Sequence, residues 1–243
     1  MLIDELEKQG TWLFRWRSYV PLILLPLIVL ELAEHNFYLG DSPQIELFYG
    51  LGCFLISLGG LLIRAIALGY AQPGSSGRNT REQIADHLNT KGIYSVVRHP
   101  LYLGNVIMML GVLLFTKSVM LALAGTLFYL LFYERIIAAE ERFLLSRFGD
   151  TYREWAESTP AIWPRFSGWQ SPSYPFSMRT AIKGEFYGFT ALTCVMLAMD
   201  LLKNWFVEGR IGTDILWLVL VAISLVAFVV LRHLRKHTTL LEV

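Results

Sequence analysis

Apolar residues are gathered into six stretches that polar segments separate. The stretches cover residues 18–33, 47–69, 101–115, 119–138, 187–202 and 214–231. A helix needs about 20 apolar residues to cross the hydrocarbon core of a bilayer, and the second, fourth and sixth stretches reach that length comfortably. The third is short, and the fifth is the least apolar. The pattern predicts an all-α, polytopic transmembrane helical protein with about six spans.

The third and fourth stretches are predicted to form a tight hairpin. Only Thr116, Lys117 and Ser118 separate them, and so short a connection requires the two helices to be antiparallel neighbours. The helix of the fourth stretch is predicted to run on beyond the membrane as far as Phe148, because Gly149 is a typical helix stop.

Basic residues are distributed unevenly over the segments between the stretches. Sixteen of the 21 lysines and arginines fall before the first stretch, between the second and third, after the fourth, or after the sixth, and Arg135 lies at the end of the fourth, on the same side. Three fall on the opposite side, and Arg64 lies inside the second stretch. Cytoplasmic loops carry the excess of basic residues. We therefore expect an integral, multi-pass membrane protein with both termini and the candidate site on the cytoplasmic side.

Composition supports a membrane protein and argues against several other classes. Of the 243 residues, 54% are hydrophobic and 17% charged, which is too little polar surface for a soluble domain. A net charge of +1 argues against a nucleic-acid partner. Cys53 and Cys194 lie in apolar stretches, so we expect neither a disulfide framework nor a metal site. The acidic start of the chain does not resemble a cleaved signal peptide.

A cluster of polar residues stands where the third stretch begins. Pro100 suits the first turn of a helix and disfavours a helical conformation of His99. Arg98 and His99 would then precede a helix N-terminus, where free N–H groups favour anions. Tyr102 and Asn105 share one face of that helix, and Gly104 permits a close approach to its backbone. These residues could hold a carboxylate or phosphate and stack against a ring.

Three further groups could contribute to the same site. Glu140 and Glu141 follow the fourth stretch, and neighbouring side chains on a helix diverge by about 100°, so the two carboxylates cannot do the same job. Arg64 either extends its charged end to the interface or contacts a substrate or an acidic partner. Arg78 and Asn79, in a loop rich in glycine and serine, could contact an anionic head group.

These residues together resemble the isoprenylcysteine carboxyl methyltransferase and phospholipid N-methyltransferase superfamily of membrane methyltransferases. The resemblance covers about residues 88–166. It rests on Gly92, Tyr94, Arg98, His99, Pro100, Tyr102 and Gly104, on the glutamate pair, and on Phe148, Gly149 and Tyr152.

The resemblance implies S-adenosyl-L-methionine as cofactor in a cytoplasm-facing pocket. The implied cofactor-binding residues are Tyr94, Arg98, His99, Pro100, Tyr102, Gly104, Glu140 and Glu141, with Arg98, His99 and Glu141 as the catalytic group. Arg78, Asn79, Asn105 and Arg64 are the candidate substrate-binding residues. We expect transmembrane spans and a loop in 1–87, the catalytic core in 88–166, and a transmembrane hairpin in 167–243.

The identity of the methyl acceptor stays open at this stage. We expect a membrane lipid or lipidated substrate whose carboxylate, phosphate or amine meets the cofactor at the interface. Two other classes remain: a membrane reductase of sterol-reductase type that uses NADPH, and a non-catalytic membrane scaffold. The sequence does not indicate an oligomeric state.

Overall fold

A computed structural model describes residues 2–72 and 85–237. Arg78 and Asn79 therefore lie outside the described residues. The described part is helical, which confirms the all-α prediction. Its eight α-helices are α1 (Leu2–Trp16), α2 (Leu25–Glu34), α3 (Pro43–Tyr70), α4 (Pro100–Leu114), α5 (Val119–Phe148), α6 (Asp150–Ser158), α7 (Met178–Glu208) and α8 (Ile215–His237).

Helices long and apolar enough to cross a membrane are fewer than the six predicted spans. In the described part of the chain, α3, α5, α7 and α8 qualify, and a fifth span results if two helical segments, Glu5–Trp16 and Val20–Glu34, count as one. Those two segments meet at 84°. α4 has 15 residues and is about 22 Å long, shorter than the roughly 30 Å hydrocarbon core. The six-span count is therefore not supported.

Short side chains and glycine define the helix ends that position the site. Ser118 Oγ accepts a hydrogen bond from Leu121 N at 3.1 Å and caps the start of α5, which is the N-cap role that serine suits best. Gly149 ends α5 with a φ of 55°, a conformation that costs glycine little. Both the tight hairpin between α4 and α5 and the helix stop at Gly149 are confirmed.

Close packing joins the short helix α4 to α3. A Cβ atom added at Gly104 would lie 2.6 Å from Gly60 O and 2.6 Å from Arg64 Cγ, so only a glycine allows this approach. The apolar core continues through α5, α7 and α8, where Trp217 packs edge-on against Phe54.

Four helix ends meet at one end of the bundle. Ser177, just before α7, donates its backbone N–H to Gly69 O near the end of α3 at 2.8 Å. The start of α4 meets the last third of α5 through His99 and Glu141. We call this the site end. The division of the chain at residues 87 and 166 stays a prediction.

Candidate functional site

A non-helical segment leads into α4 and is held by backbone hydrogen bonds from a distant part of the chain. Arg98 N donates to Pro160 O at 2.9 Å, and His99 N donates to Ala161 O at 3.2 Å. Arg165 N donates to Val96 O at 3.0 Å in the opposite sense. The region after α6 therefore runs alongside the predicted motif and forms one wall of the site.

The helix start at Pro100 is confirmed. Pro100 is the first residue of α4, and His99 has a non-helical φ of −120° and ψ of 63°. This conformation directs His99 and Arg98 away from the helix axis and toward α5. Two residues that are adjacent in the sequence thereby both reach the same carboxylate.

Glu141 receives contacts from both Arg98 and His99. His99 Nε2 lies 3.1 Å from Glu141 Oε1, and Arg98 Nη1 lies 3.2 Å from the same oxygen. Because a carboxylate oxygen accepts, the ring hydrogen of His99 stands on Nε2 in this contact. Only 6% of the His99 side chain is exposed, so this ionic group is largely shielded from water.

Glu140 faces the other side of the same imidazole. Its Oε2 lies 3.7 Å from His99 Nδ1, beyond hydrogen-bonding distance. The two glutamates thus do different work, as their angular separation on the helix predicts. Glu141 orients His99 and Arg98, whereas Glu140 approaches the ring without a direct bond.

A stack of three rings forms the floor of the site. His99 and Tyr102 are stacked with ring centroids 5.8 Å apart. Tyr102 stacks in turn on Tyr133 of α5, with centroids 4.8 Å apart and planes 22° apart. Stacked aromatic pairs contribute about 0.5–1.5 kcal/mol beyond their buried area, so this stack stabilises the orientation of His99.

Three buried polar atoms at the site have no hydrogen-bond partner: Arg98 Nε, Glu140 Oε2 and the Tyr152 hydroxyl. An unpaired buried polar group costs about 1–3 kcal/mol. Two of these three atoms are donors and one is an acceptor. Together they fit a polar ligand with complementary groups.

Two tyrosines at the site end keep their protons. Burial raises the pKa of Tyr94 above its usual value, and the negative Glu140 raises it further. Burial also raises the pKa of Tyr152, with a further contribution from Glu141. The unpartnered Tyr152 hydroxyl is therefore a hydrogen-bond donor at any physiological pH. Tyr94 lines the same region, and its carbonyl accepts from Trp155 Nε1 at 3.1 Å.

The candidate substrate residues Arg64 and Asn105 lie together but contact a third residue. Arg64 makes a two-point ion pair with Glu185 of α7, at 3.1 Å from Nε and 2.7 Å from Nη2. Its Nη1 donates to Asn105 Oδ1 at 2.6 Å. Arg64 thus has the acidic partner that its position in the second stretch suggested. Gly104, a predicted cofactor residue, faces α3 at the close contact with Gly60.

Sequence reasoning gave no site role to Tyr133 or Glu185, and Tyr152 entered only as part of a motif. Tyr133 lies eight residues before Glu141 on the same helix, which a helical plot of α5 would have brought to notice. Glu185 fell just outside the fifth apolar stretch as predicted, whereas α7 begins at Met178. A search for an acidic partner of Arg64 could have found it.

Comparison with known proteins identifies relatives of two kinds. The chain is 40% identical over 160 residues to the cobalt-zinc-cadmium resistance protein CzcN of Cupriavidus metallidurans, covering 65% of this chain and 66% of that protein. It is 29% identical over 158 residues to the nickel-cobalt-cadmium resistance protein NccN of Alcaligenes xylosoxydans xylosoxydans, covering 65% and 67%. The chain thus spans about two thirds of the length of these resistance proteins.

A third relative is a methyltransferase, and the similarity to it is shorter. The chain is 38% identical over 77 residues to the protein-S-isoprenylcysteine O-methyltransferase of Schizosaccharomyces pombe, covering 31% of this chain and 33% of that protein. No solved structure matches the chain.

The sequence profile of the family described as phospholipid methyltransferase matches residues 47–151. That range includes Arg64, the motif at Arg98 and His99, and the glutamate pair. The resemblance inferred from the motif is confirmed: residues 47–151 match the phospholipid methyltransferase family, and a shorter part of the chain is similar to an isoprenylcysteine methyltransferase.

Proposed function

We propose that this protein is an S-adenosylmethionine-dependent methyltransferase that acts on a lipidic acceptor at the membrane interface. Methyltransferases of its family use S-adenosylmethionine. The observation that carries the proposal is the buried group of Arg98, His99 and Glu141, which adjoins three unpartnered polar atoms at one end of a helical membrane bundle.

The unpartnered atoms fit the polar groups of this cofactor. Arg98 Nε and the Tyr152 hydroxyl are donors suited to the carboxylate of its methionine part. Glu140 Oε2 is an acceptor suited to its ammonium or ribose hydroxyls. When bound, S-adenosylmethionine supplies an activated methyl group on a sulfonium.

The residues of the chain then orient the acceptor and exclude water. A carboxylate or phosphate acceptor is ionised near neutral pH, so it needs a cation to orient it rather than a strong base. Arg98 serves that role. An amine acceptor must lose a proton, and His99, oriented by Glu141, is placed to take it. Arg78 and Asn79 favour an anionic head group over a free amine.

The proposal includes an orientation in the membrane. The excess of basic residues on the side of the Arg98 motif favours a cytoplasmic site end with both termini on the same side. A cytoplasmic site gives access to the cofactor pool, and the lipid chains of the acceptor would enter from the bilayer between the helices.

Cofactor binding by variants of the site tests the proposal. Glu141→Gln and His99→Ala each remove a buried, charge-assisted contact worth about 1.5–3 kcal/mol. We expect their affinity for S-adenosylmethionine, measured by calorimetric titration of the purified protein, to fall roughly ten- to hundred-fold. Glu134→Gln is the matched control, because its carboxylate lies on the same helix and its side chain is 60% exposed.

Calorimetric titration and a methyl-transfer assay together separate the competing functions. Affinity at the wild-type level in both site variants would contradict the assignment of the site. Binding of NADPH instead of S-adenosylmethionine would indicate a membrane reductase. Absence of methyl transfer to any component of a membrane lipid extract, despite intact cofactor binding, would indicate a non-catalytic role.

A further inference from the structure

Large aromatic side chains are exposed in the polar connection between α6 and α7. The exposed fractions are 75% for Trp163, 78% for Phe166, 54% for Trp169 and 49% for Tyr174. We call residues 163–176 the aromatic segment. An exposed apolar patch of this kind marks an interaction surface, and the question is which partner covers it.

The aromatic segment is tethered at the depth where two candidate spans end. Ser177 N donates to Gly69 O at 2.8 Å, and the rings of Phe176 and Tyr70 meet edge-on with centroids 5.2 Å apart. Tyr70 is the last residue of α3, and α7 begins at Met178. The segment therefore leaves the bundle where the candidate span α3 ends and the candidate span α7 begins.

The helix α1 also carries exposed aromatic side chains. Trp12, Trp16 and Tyr19 are exposed on or next to α1. α1 packs along the last part of α5, where Arg142 Nε lies 3.1 Å from Glu7 Oε2. Gly10 of α1 lies against Arg135 and Ala139 of α5, so α1 runs roughly antiparallel to α5. Aromatic side chains are enriched where helices leave the hydrocarbon core.

We propose that the aromatic segment lies in the headgroup layer of the bilayer, with Trp163, Phe166 and Trp169 inserted among the lipids. Its partner is the lipid surface. Tryptophan and tyrosine are favoured there because one part of the ring system is apolar and another can bond to water or head groups.

The aromatic segment is also a wall of the site, so its depth determines the depth of the site. Arg165 N bonds to Val96 O, and Gln170 N bonds to Ser95 Oγ at 2.9 Å. Glu141 lies about 33 Å along α5 from Val119, close to the roughly 30 Å at which a straight span leaves the hydrocarbon core. Both observations place the site in the headgroup layer.

This inference rests on the proposed function and narrows the acceptor class. The acceptor is a lipid whose chains stay in the bilayer while its reacting group, in the headgroup layer, meets the site.

Fluorescent labelling in lipid nanodiscs tests the position of the segment. In a background of Cys53→Ala and Cys194→Ala, an environment-sensitive fluorophore is attached to Trp163→Cys and, as control, to Arg153→Cys. Arg153 is exposed on α6, beyond the end of α5. Phosphatidylcholine nanodiscs carry a nitroxide on the lipid head group, and iodide is the quencher in water.

We expect the head-group nitroxide to quench the label at position 163 several-fold more strongly than the label at 153, and iodide to show the reverse order. Equal iodide quenching at both positions would overturn the proposal. Protection of position 163 from both quenchers would also overturn it, because it would indicate a protein partner or a second copy of the chain.

A second variant links the segment to catalysis. Trp163→Ser combined with Trp169→Ser should lower methyl transfer to a total membrane-lipid extract several-fold more than it lowers the affinity for S-adenosylmethionine. Unchanged transfer would overturn the narrowed acceptor class. The quenching experiment needs no cofactor, so failure of the proposed function, seen as absent cofactor binding, is distinguishable from failure of this inference.

Discussion

At the scale of single residues, the site depends on how His99 is held. Its ring stacks on Tyr102, Nε2 contacts Glu141, and Nδ1 faces Glu140. The imidazole therefore has little freedom to rotate, and Arg98 is bound to the same carboxylate oxygen. Around this rigid centre a small set of buried polar atoms makes no hydrogen bond, and the proposed function assigns them to the ligand.

A variant that lacks the Tyr152 hydroxyl separates the effect on cofactor binding from the effect on protein stability. That hydroxyl makes no hydrogen bond of normal geometry, although Glu141 and Arg98 lie near it, so Tyr152→Phe should change the thermal unfolding temperature little. We expect the same variant to bind S-adenosylmethionine about ten-fold more weakly, since it loses one hydrogen bond of roughly 1–1.5 kcal/mol. Calorimetric titration and thermal unfolding in detergent provide the two measurements.

Tyr129→Phe is the matched control for that variant. The Tyr129 hydroxyl is also buried without a partner, but it lies about 18 Å along α5 from Glu141. We expect no loss of cofactor affinity there. A clear drop in stability of Tyr152→Phe would show that the hydroxyl has a structural partner and would contradict its role as a ligand contact.

At the scale of helices, a buried ion pair joins three elements below the site. Arg64 of α3 binds Glu185 of α7 and Asn105 of α4. Glu185 is buried, and Arg64 is mostly so. Charged groups inside a membrane bundle are costly unless paired, so this pair holds α7 against the short helix α4, one turn below the His99 and Tyr102 stack.

Removing the charge of one partner should lower the free energy of unfolding more than replacing both partners does. Glu185→Gln leaves the Arg64 charge without its counter-ion, and we expect a loss of about 3–5 kcal/mol in the free energy of unfolding. The double variant Arg64→Met with Glu185→Met should recover most of that loss, because apolar replacements of a buried pair are often neutral. Unfolding of the purified variants in detergent measures both. Equal losses in the single and double variants would contradict this account.

At the scale of the whole molecule, the charge pattern predicts how the protein is oriented in the membrane. We expect green fluorescent protein fused after Val243 to fluoresce, and alkaline phosphatase at the same position to be inactive, because the sixteen basic residues in the segments of that side favour its cytoplasmic location. The same reporters fused within the connection between α7 and α8 should give the opposite result. Active phosphatase at the C-terminus would contradict the cytoplasmic site.

The sequence predicted best what short-range chemistry determines. Proline restricts its own φ and the conformation of the residue before it. The start of α4 and the non-helical backbone of His99 could therefore be inferred. Glycine at position 149 likewise marked the end of α5. The approach of Glu141 to His99 followed from the tight hairpin between their helices.

Features that depend on distant parts of the chain were not predicted. Apolar content carries no information on angles, so the 84° bend before α2 was missed. The pairing of Arg64 with Glu185 depends on the packing of α3 against α7, 121 residues apart in the chain. The wall formed by Pro160 and Ala161 depends on backbone groups, which leave no trace in side-chain pattern.

The backbone pairing of Arg98 and His99 with Pro160 and Ala161 also has a consequence for the timing of biosynthesis. Ribosomes add about 5–20 residues per second, so several seconds pass between the synthesis of the motif and that of Pro160 and Ala161. During that interval the α4–α5 hairpin can enter the membrane while the two amide groups are still hydrated. The α4–α5 hairpin is thus inserted before the candidate site is complete, and a chain that stops at the end of α6 would lack the wall that Pro160 and Ala161 form.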